Sequence, residues 1–242
     1  ADRIGGQFNL AKTIPGKEEF HETLRYFGTR IADTGVVLRL STRVEADSLS
    51  GFDEVVVATG VTPRTIDIEG HDHQKVVSYL DVLEGRISPG AKVAIIGAGG
   101  IGFDVAEFLV ESGPSATLDT GRWMAEWGVD ANFETPGGLV PAHPEPPARK
   151  VWLLQRSTGK PGARLGKTTG WIHRATLKAK GVKMLGGVEY LGVDDAGLHV
   201  RVEGSEQTLP VDHVVICAGQ ESRRGLFDAL QAKGQRSHLI GG

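Results

Sequence analysis

Apolar residues near the start of the chain fall at Phe20, Leu24, Phe27 and Ile31, steps of four, three and four that mark one face of an amphipathic helix over residues 16–34. Gly35 closes it, and residues 36–40 read as a short strand. Further on the pattern changes. Residues 53–60, 92–96, 151–155 and 213–219 hold continuous apolar runs instead of an alternation. Such runs predict strands covered on both faces, as in a parallel sheet. The first and last of them each close on a small-x-Gly triplet.

Helical spacing returns at Ile101, Val105, Phe108 and Leu109, and again over 171–179, with a short helix over 79–83. Residues 61–90 otherwise read as connection, ended by Pro89-Gly90. Stretches 182–185, 188–193 and 198–202 alternate and predict a small meander, with Asp194-Asp195-Ala196-Gly197 as a hairpin turn. Residues 113–150 hold six of the 11 prolines and no sustained period. They read as a long surface insertion anchored by Trp123 and Trp127.

Composition narrows the function. The 27 Lys and Arg against 30 Asp and Glu give a net charge of −3, which argues against a protein built to coat nucleic acid or an anionic membrane. A single cysteine, Cys217, excludes an internal disulfide or a cysteine-held metal cluster within these residues and points to a reducing, cytoplasmic setting. It lies in the most apolar run and reads as a core residue. No apolar run reaches the length of a membrane span. The opening residues Ala1 to Gln7 read as neither a signal peptide nor a start, but as the interior of a longer polypeptide.

Glycine is the anomaly, at 34 of 242 residues, roughly twice the usual share. The informative cluster is Gly97-x-Gly99-x-x-Gly102, with Gly100 and Ile101 inside it, directly after one predicted strand and at the start of a predicted helix. Gly97 suits the tight turn, Gly99 the close approach of backbone to a pyrophosphate, and Gly102 helix–strand packing. The next strand ends Gln155-Arg156-Ser157. An NAD site wants a carboxylate there, whereas a guanidinium grips a 2′-phosphate, so NADPH is favoured.

Other motifs are weaker. Residues 162–168 resemble a phosphate-binding P-loop, but the spacing is one residue short and Pro161 takes the place of the first glycine. His71-Asp72-His73 lacks a third ligand nearby, so no metal is expected. No acid, base or nucleophile in these residues stands out as catalytic.

Several blocks are far more specific. Ile4-Gly5-Gly6-Gln7-Phe8-Asn9, Ile14-Pro15-Gly16-Lys17-Glu18-Glu19-Phe20, Glu126-Trp127-Gly128 and Lys167-Thr168-Thr169-Gly170-Trp171-Ile172-His173-Arg174 resemble the C-terminal part of bacterial NADPH-dependent 2,4-dienoyl-CoA reductase, an old-yellow-enzyme-like iron–sulfur flavoprotein. The likeness runs over the whole chain. It implies an α/β fold of the two-dinucleotide-binding-domain, Rossmann-like flavoprotein type. A partial FAD-side domain would span 1–88 and return at 220–242, and an NADPH domain would span 89–219.

The resemblance also implies an N-terminal barrel of the same polypeptide, outside these residues, that carries FMN, a 4Fe–4S cluster and the acyl-CoA site. The first strand and glycine turn for the FAD pyrophosphate would lie outside as well, leaving the FAD site incomplete. By the same resemblance Gln7 and Lys17 face FAD, Val44 offers backbone to its adenine, the 97–102 glycine turn takes the NADPH pyrophosphate, and Arg156 takes the 2′-phosphate. Relatives can carry a second basic residue where this chain has Ser157, which softens the expected preference for NADPH. The residues read here would bind nucleotide without turning over substrate. An enoate reductase, an amine dehydrogenase and a non-catalytic nucleotide-binding module remain alternatives.

Overall fold

The computed structural model of the protein describes residues 1–241. In chain order the elements are α1 (Phe8–Ala11), α2 (Phe20–Asp33), β1 (Val55–Val57), β2 (Val61–Pro63), β3 (Val76–Ser78), α3 (Tyr79–Leu83), β4 (Lys92–Ile96), α4 (Gly100–Val110) and α5 (Thr120–Trp127). There follow β5 (Lys150–Leu154), α6 (Gly170–Ala179), β6 (Lys183–Leu185), β7 (Val188–Asp194), β8 (Gly197–Val202), β9 (Ser205–Leu209), β10 (His213–Ile216), β11 (Gln220–Ser222), α7 (Gly225–Ala232) and β12 (Ser237–Leu239). The chain forms two compact units: residues 10–19 with 65–218, and residues 1–9, 20–64 and 219–242.

The larger unit is built on a five-stranded sheet in the order β3-β10-β4-β5-β6, with every pair parallel. The continuous apolar runs follow from what covers it. Val93 and Ile95 of β4 turn to one face, where they pack with Phe103, Val105 and Leu109 of α4 and Leu177 of α6. Ala94 and Ile96 turn to the other and meet Val188, Leu198, Val200 and Leu209 of an antiparallel sheet formed by β7, β8 and β9. With both faces dry, no position from Val93 to Ile96 is free to be polar, and only Lys92 at the exposed start of β4 is. Residues 65–88 belong to this unit because they supply β3 and α3.

The meander differs in one strand from its expected membership. Residues 183–185 pair in parallel with β5 at the sheet edge, and β9 completes the meander instead. The hairpin turn is as expected: the Asp194 carboxylate accepts the backbone N–H groups of Ala196 and Gly197. Residues 113–150 are more ordered than their proline content implies. Asp119 caps α5, Gly128 ends it in a left-handed conformation, and Arg122 reaches the Pro114 carbonyl and Glu145.

In the smaller unit α2 begins only at Phe20, because residues 10–19 pack with the other unit, where Ile14 is buried. No residue of α2 is buried. Residues 36–40, expected as a strand, form none and join no ladder among the described residues, leaving Val37 78% exposed. The 53–60 run is likewise not covered on both faces. Only β1 forms a ladder, in parallel with β12, and Val56 stays exposed. β2 pairs antiparallel with β11.

Candidate functional site

The glycine turn sits at the C-terminal edge of the parallel sheet, between β4 and α4. Its first residue is tied to the neighbouring strand by the Gly97 N–H, which donates to the Leu154 carbonyl at 2.8 Å. Gly97 has φ +114, and a Cβ there would run into the Cys217 carbonyl. A Cβ on Gly102 would strike the Gly97 carbonyl. Both positions therefore demand glycine for the packing of turn on strand.

Gly99 and Gly100 differ: a Cβ on either would meet nothing within 4 Å. Open space, not internal packing, surrounds them. The first bond of the α4 ladder runs from the Phe103 N–H to the Gly99 carbonyl at 3.1 Å, so the Gly100, Ile101 and Gly102 amides lie ahead of it. Aligned peptide dipoles add a partial positive charge at this end of an 11-residue helix. Pyrophosphate oxygens fit that combination of exposed backbone and free donors.

Arg156 and Ser157 lie just beyond β5, the strand to which Gly97 is bonded, so the structure brings both halves of the expected nucleotide site to one sheet edge. The backbone here is held firmly. Gln155 Nε2 donates to the carbonyls of Ser157 and Gly159, and the Gly187 N–H donates to the Ser157 carbonyl. The Arg156 side chain is exposed and has no ion-pair partner among the described residues. Gln155 was not singled out by sequence reasoning. Its signal is weak, a polar residue ending an apolar run.

Lys160, Arg164 and Lys167, just beyond Arg156, are already legible in the sequence as added positive field. Between Glu145 and Glu189 the chain has ten Lys and Arg residues and no acidic residue. Four of them, Arg156, Lys160, Arg164 and Lys167, are exposed on the loop between β5 and α6.

The positions linked with FAD are more dispersed. Gln7 is exposed in the smaller unit. Lys17 belongs to the larger one, where its Nζ pairs with Asp104 of α4 at 2.6 Å. Val44 lines a cleft of about 800 Å³ in the smaller unit, together with Thr42, Ala58, Thr59 and Leu226. Beneath α4, Glu107 Oε1 lies 2.7 Å from His173 Nδ1. Burial raises the Glu107 carboxyl above its usual range, and the bond to Glu107 raises His173. Burial also pushes the Cys217 thiol up, as suits an inert core residue. His71 and His73 do not converge: His71 faces the Ile68 carbonyl and His73 faces Asp195.

Comparison with known proteins supplies a family context. Residues 16–239 match the family described as pyridine nucleotide-disulphide oxidoreductase. A metal reductase of Desulforamulus reducens is 30% identical over 249 residues, covering all of this chain and 36% of that protein. A bilirubin reductase of Mediterraneibacter gnavus is 34% identical over 242 residues, covering 98% of this chain and 32% of that protein. Among solved structures, a 2-naphthoyl-CoA reductase bound to 2-naphthoyl-CoA superposes with a TM-score of 0.77 at 25% identity, over all of this chain and 32% of that one. The chain thus spans about a third of the length of the relatives it matches. No helix among the described residues is long and apolar enough to cross a membrane.

Proposed function

Because the chain belongs to the pyridine nucleotide-disulphide oxidoreductase family, we propose that it is the NADPH-binding, electron-entry part of a reductase acting on 2,4-dienoyl-CoA thioesters in the breakdown of unsaturated fatty acids. The family is built around a flavin and a pyridine nucleotide. The choice of NADPH rests on one observation, a glycine turn shaped by its own packing and followed by Arg156, unpaired among the described residues, where an NAD site would carry a carboxylate. The dienoyl-CoA substrate rests on the resemblance of the blocks at 4–9, 14–20, 126–128 and 167–174.

The residues fit the nucleotide. Gly99, Gly100, Ile101 and Gly102 offer backbone donors to the pyrophosphate, and Arg156 offers a fork of N–H groups to the 2′-phosphate, with Ser157 beside it. NADPH, when bound, supplies a hydride. This chain's own part is to bind and orient the nucleotide. In this reading Gln7, Lys17 and Val44 serve an FAD site that these residues supply only in part, while FMN, a 4Fe–4S cluster and the acyl-CoA site lie on a barrel elsewhere in a cytoplasmic polypeptide. The 25% identity to a reductase crystallised with an aryl-CoA thioester supports a CoA ester as substrate.

The test is an equilibrium titration with NADP⁺ and NAD⁺ of the wild type and of Arg156→Ala. We expect wild type to prefer NADP⁺, and the variant to lose about 1–3 kcal/mol of that preference, the size of a charge-assisted contact. An unchanged ratio in the variant would overturn the assignment of Arg156.

A further inference from the structure

The loop between β5 and α6 carries Arg156, Lys160, Arg164 and Lys167, all exposed and without an ion-pair partner among the described residues. Four like charges on one short loop repel one another, so a free loop would splay. This one does not, because it is clamped in two halves. The first half is held by Gln155 and by the 186–187 turn, as described above.

The second half is a tight turn on buried Pro161 and Gly162. The Ala163 N–H donates to the Lys160 carbonyl, and the Leu165 N–H donates to the Gly162 carbonyl. Gly162 has φ +73, and a Cβ there would come within 2.6 Å of the Phe103 ring in the first turn of α4. Arg174 completes the clamp from α6. Its Nη1 donates to the Gly162 carbonyl at 2.9 Å, and its side chain has no acidic partner among the described residues. A guanidinium is here used on a main-chain carbonyl and not on a carboxylate, inside a stretch with no acid at all.

We propose that Arg174 is a positioning residue of the nucleotide site: by bonding the Gly162 carbonyl it holds the basic loop against α4, so that Lys160 and Arg164 join Arg156 as a preformed cradle for the phosphate-rich end of the dinucleotide. The inference rests on the nucleotide reading above and goes beyond it by assigning Arg174, Lys160 and Arg164. A preformed cradle avoids gathering three repelling cations at the moment of binding, which is where its affinity comes from.

The experiment titrates NADP⁺ and NAD⁺ into wild type, Arg174→Met, Arg174→Lys, Gly162→Ala and Arg156→Ala, with a thermal melt of each. Arg174→Met is expected to weaken NADP⁺ by about tenfold, the size of one lost charge-assisted contact, while NAD⁺ changes little. Arg174→Lys keeps one donor and restores most of the preference. Gly162→Ala leaves every cation in place yet shifts the turn, and is expected to show the same selective loss. That result separates positioning from direct contact with phosphate. If Arg174→Met does not fold, the other two variants carry the test. An unchanged NADP⁺ to NAD⁺ ratio in Gly162→Ala, or equal weakening of both nucleotides, overturns the proposal, provided Arg156→Ala alters the ratio. If Arg156→Ala leaves the ratio unchanged, the underlying nucleotide reading has failed instead.

Discussion

Glu107 on α4 and His173 on α6 meet at 2.7 Å, and they join the two helices that flank the glycine turn and the basic loop. Burial raises the Glu107 carboxyl, and the bond to Glu107 raises the imidazole. Both groups therefore hold a proton more tightly in the folded chain than in the unfolded one. Stability from such a group is whole below its unfolded pKa and is lost as pH rises through the folded value. For His173 the loss begins above 6.5.

We accordingly expect unfolding free energy, measured by urea titration, to fall as pH rises above 6.5, and to fall less steeply in His173→Leu. The variant also strands a mostly buried carboxylate. A fully buried pair costs about 3–5 kcal/mol to break, but His173 is 30% exposed, so about 1–2 kcal/mol is expected at pH 6. Identical pH slopes in the two proteins would assign the pH dependence to other groups.

The glycines of the turn should separate into two kinds. Alanine at Gly102 drives a methyl into the Gly97 carbonyl, so the helix must retreat from the strand. The expected cost is about 1–3 kcal/mol of stability, seen as a lower urea midpoint. Gly99→Ala places its methyl in open space and should leave stability within about 0.5 kcal/mol. Its cost should appear only in nucleotide titration, where the methyl stands in the way of a pyrophosphate. Equal loss of stability in both variants would mean that Gly99 serves packing alone.

Lys180 is a buried cation with two carboxylates around it. Its side chain is 3% exposed, with Nζ 3.1 Å from Glu126 and 3.4 Å from Glu111. Glu126 lies on α5 and Glu111 just after α4, so this one ammonium fastens the proline-rich segment to the nucleotide unit. Lys180→Met leaves Glu126 without its cation and Glu111 with only Arg122, 3.9 Å away, and a cost of about 3 kcal/mol is expected, the low end for breaking a buried pair. Limited proteolysis should then cut near α5 first. Cleavage elsewhere would show that the segment has other fastenings strong enough to hold it.

How much of this was legible beforehand depends on what covers each strand. The runs at 92–96 and 151–155 were readable because both their faces are dry, so apolarity is continuous and its ends coincide with the glycine turn and with Arg156. Residues 36–40 carry a similar pattern but have no neighbour to pair with in the described chain, and pattern alone does not create a ladder. The 183–185 strand was grouped with the meander because three residues cannot distinguish a parallel edge from a hairpin strand. The order within 113–150 lies in the Asp119 cap, the Gly128 stop and ion pairs to distant residues such as Lys180, none of which has a period. Arg174 stands in the distinctive 167–174 block, but its role has no sequence signal for a related reason: its partner is a main-chain carbonyl, which leaves no mark in side-chain spacing.

Phe133 offers a test of backbone strain apart from any ligand. It is 88% exposed yet sits at φ 59, in the left-handed region that side chains with a Cβ avoid. The surrounding turn holds it there: the Asp130 carboxylate accepts the N–H groups of Asn132 and Thr135 and the Thr135 hydroxyl, and the Asp130 N–H donates to the Gly138 carbonyl. The left-handed conformation costs a residue with a Cβ about 1–2 kcal/mol. Glycine escapes that cost but gives back about 0.5–1 kcal/mol through the greater freedom of its unfolded chain. Phe133→Gly should therefore stabilise the protein by about 0.5 kcal/mol. Phe133→Ala keeps the Cβ and the strain, and an aromatic ring this exposed contributes almost no burial to lose, so alanine should be near neutral. If the two substitutions behave alike, the strain is not stored at Phe133, and the Asp130 turn has relaxed it into its neighbours.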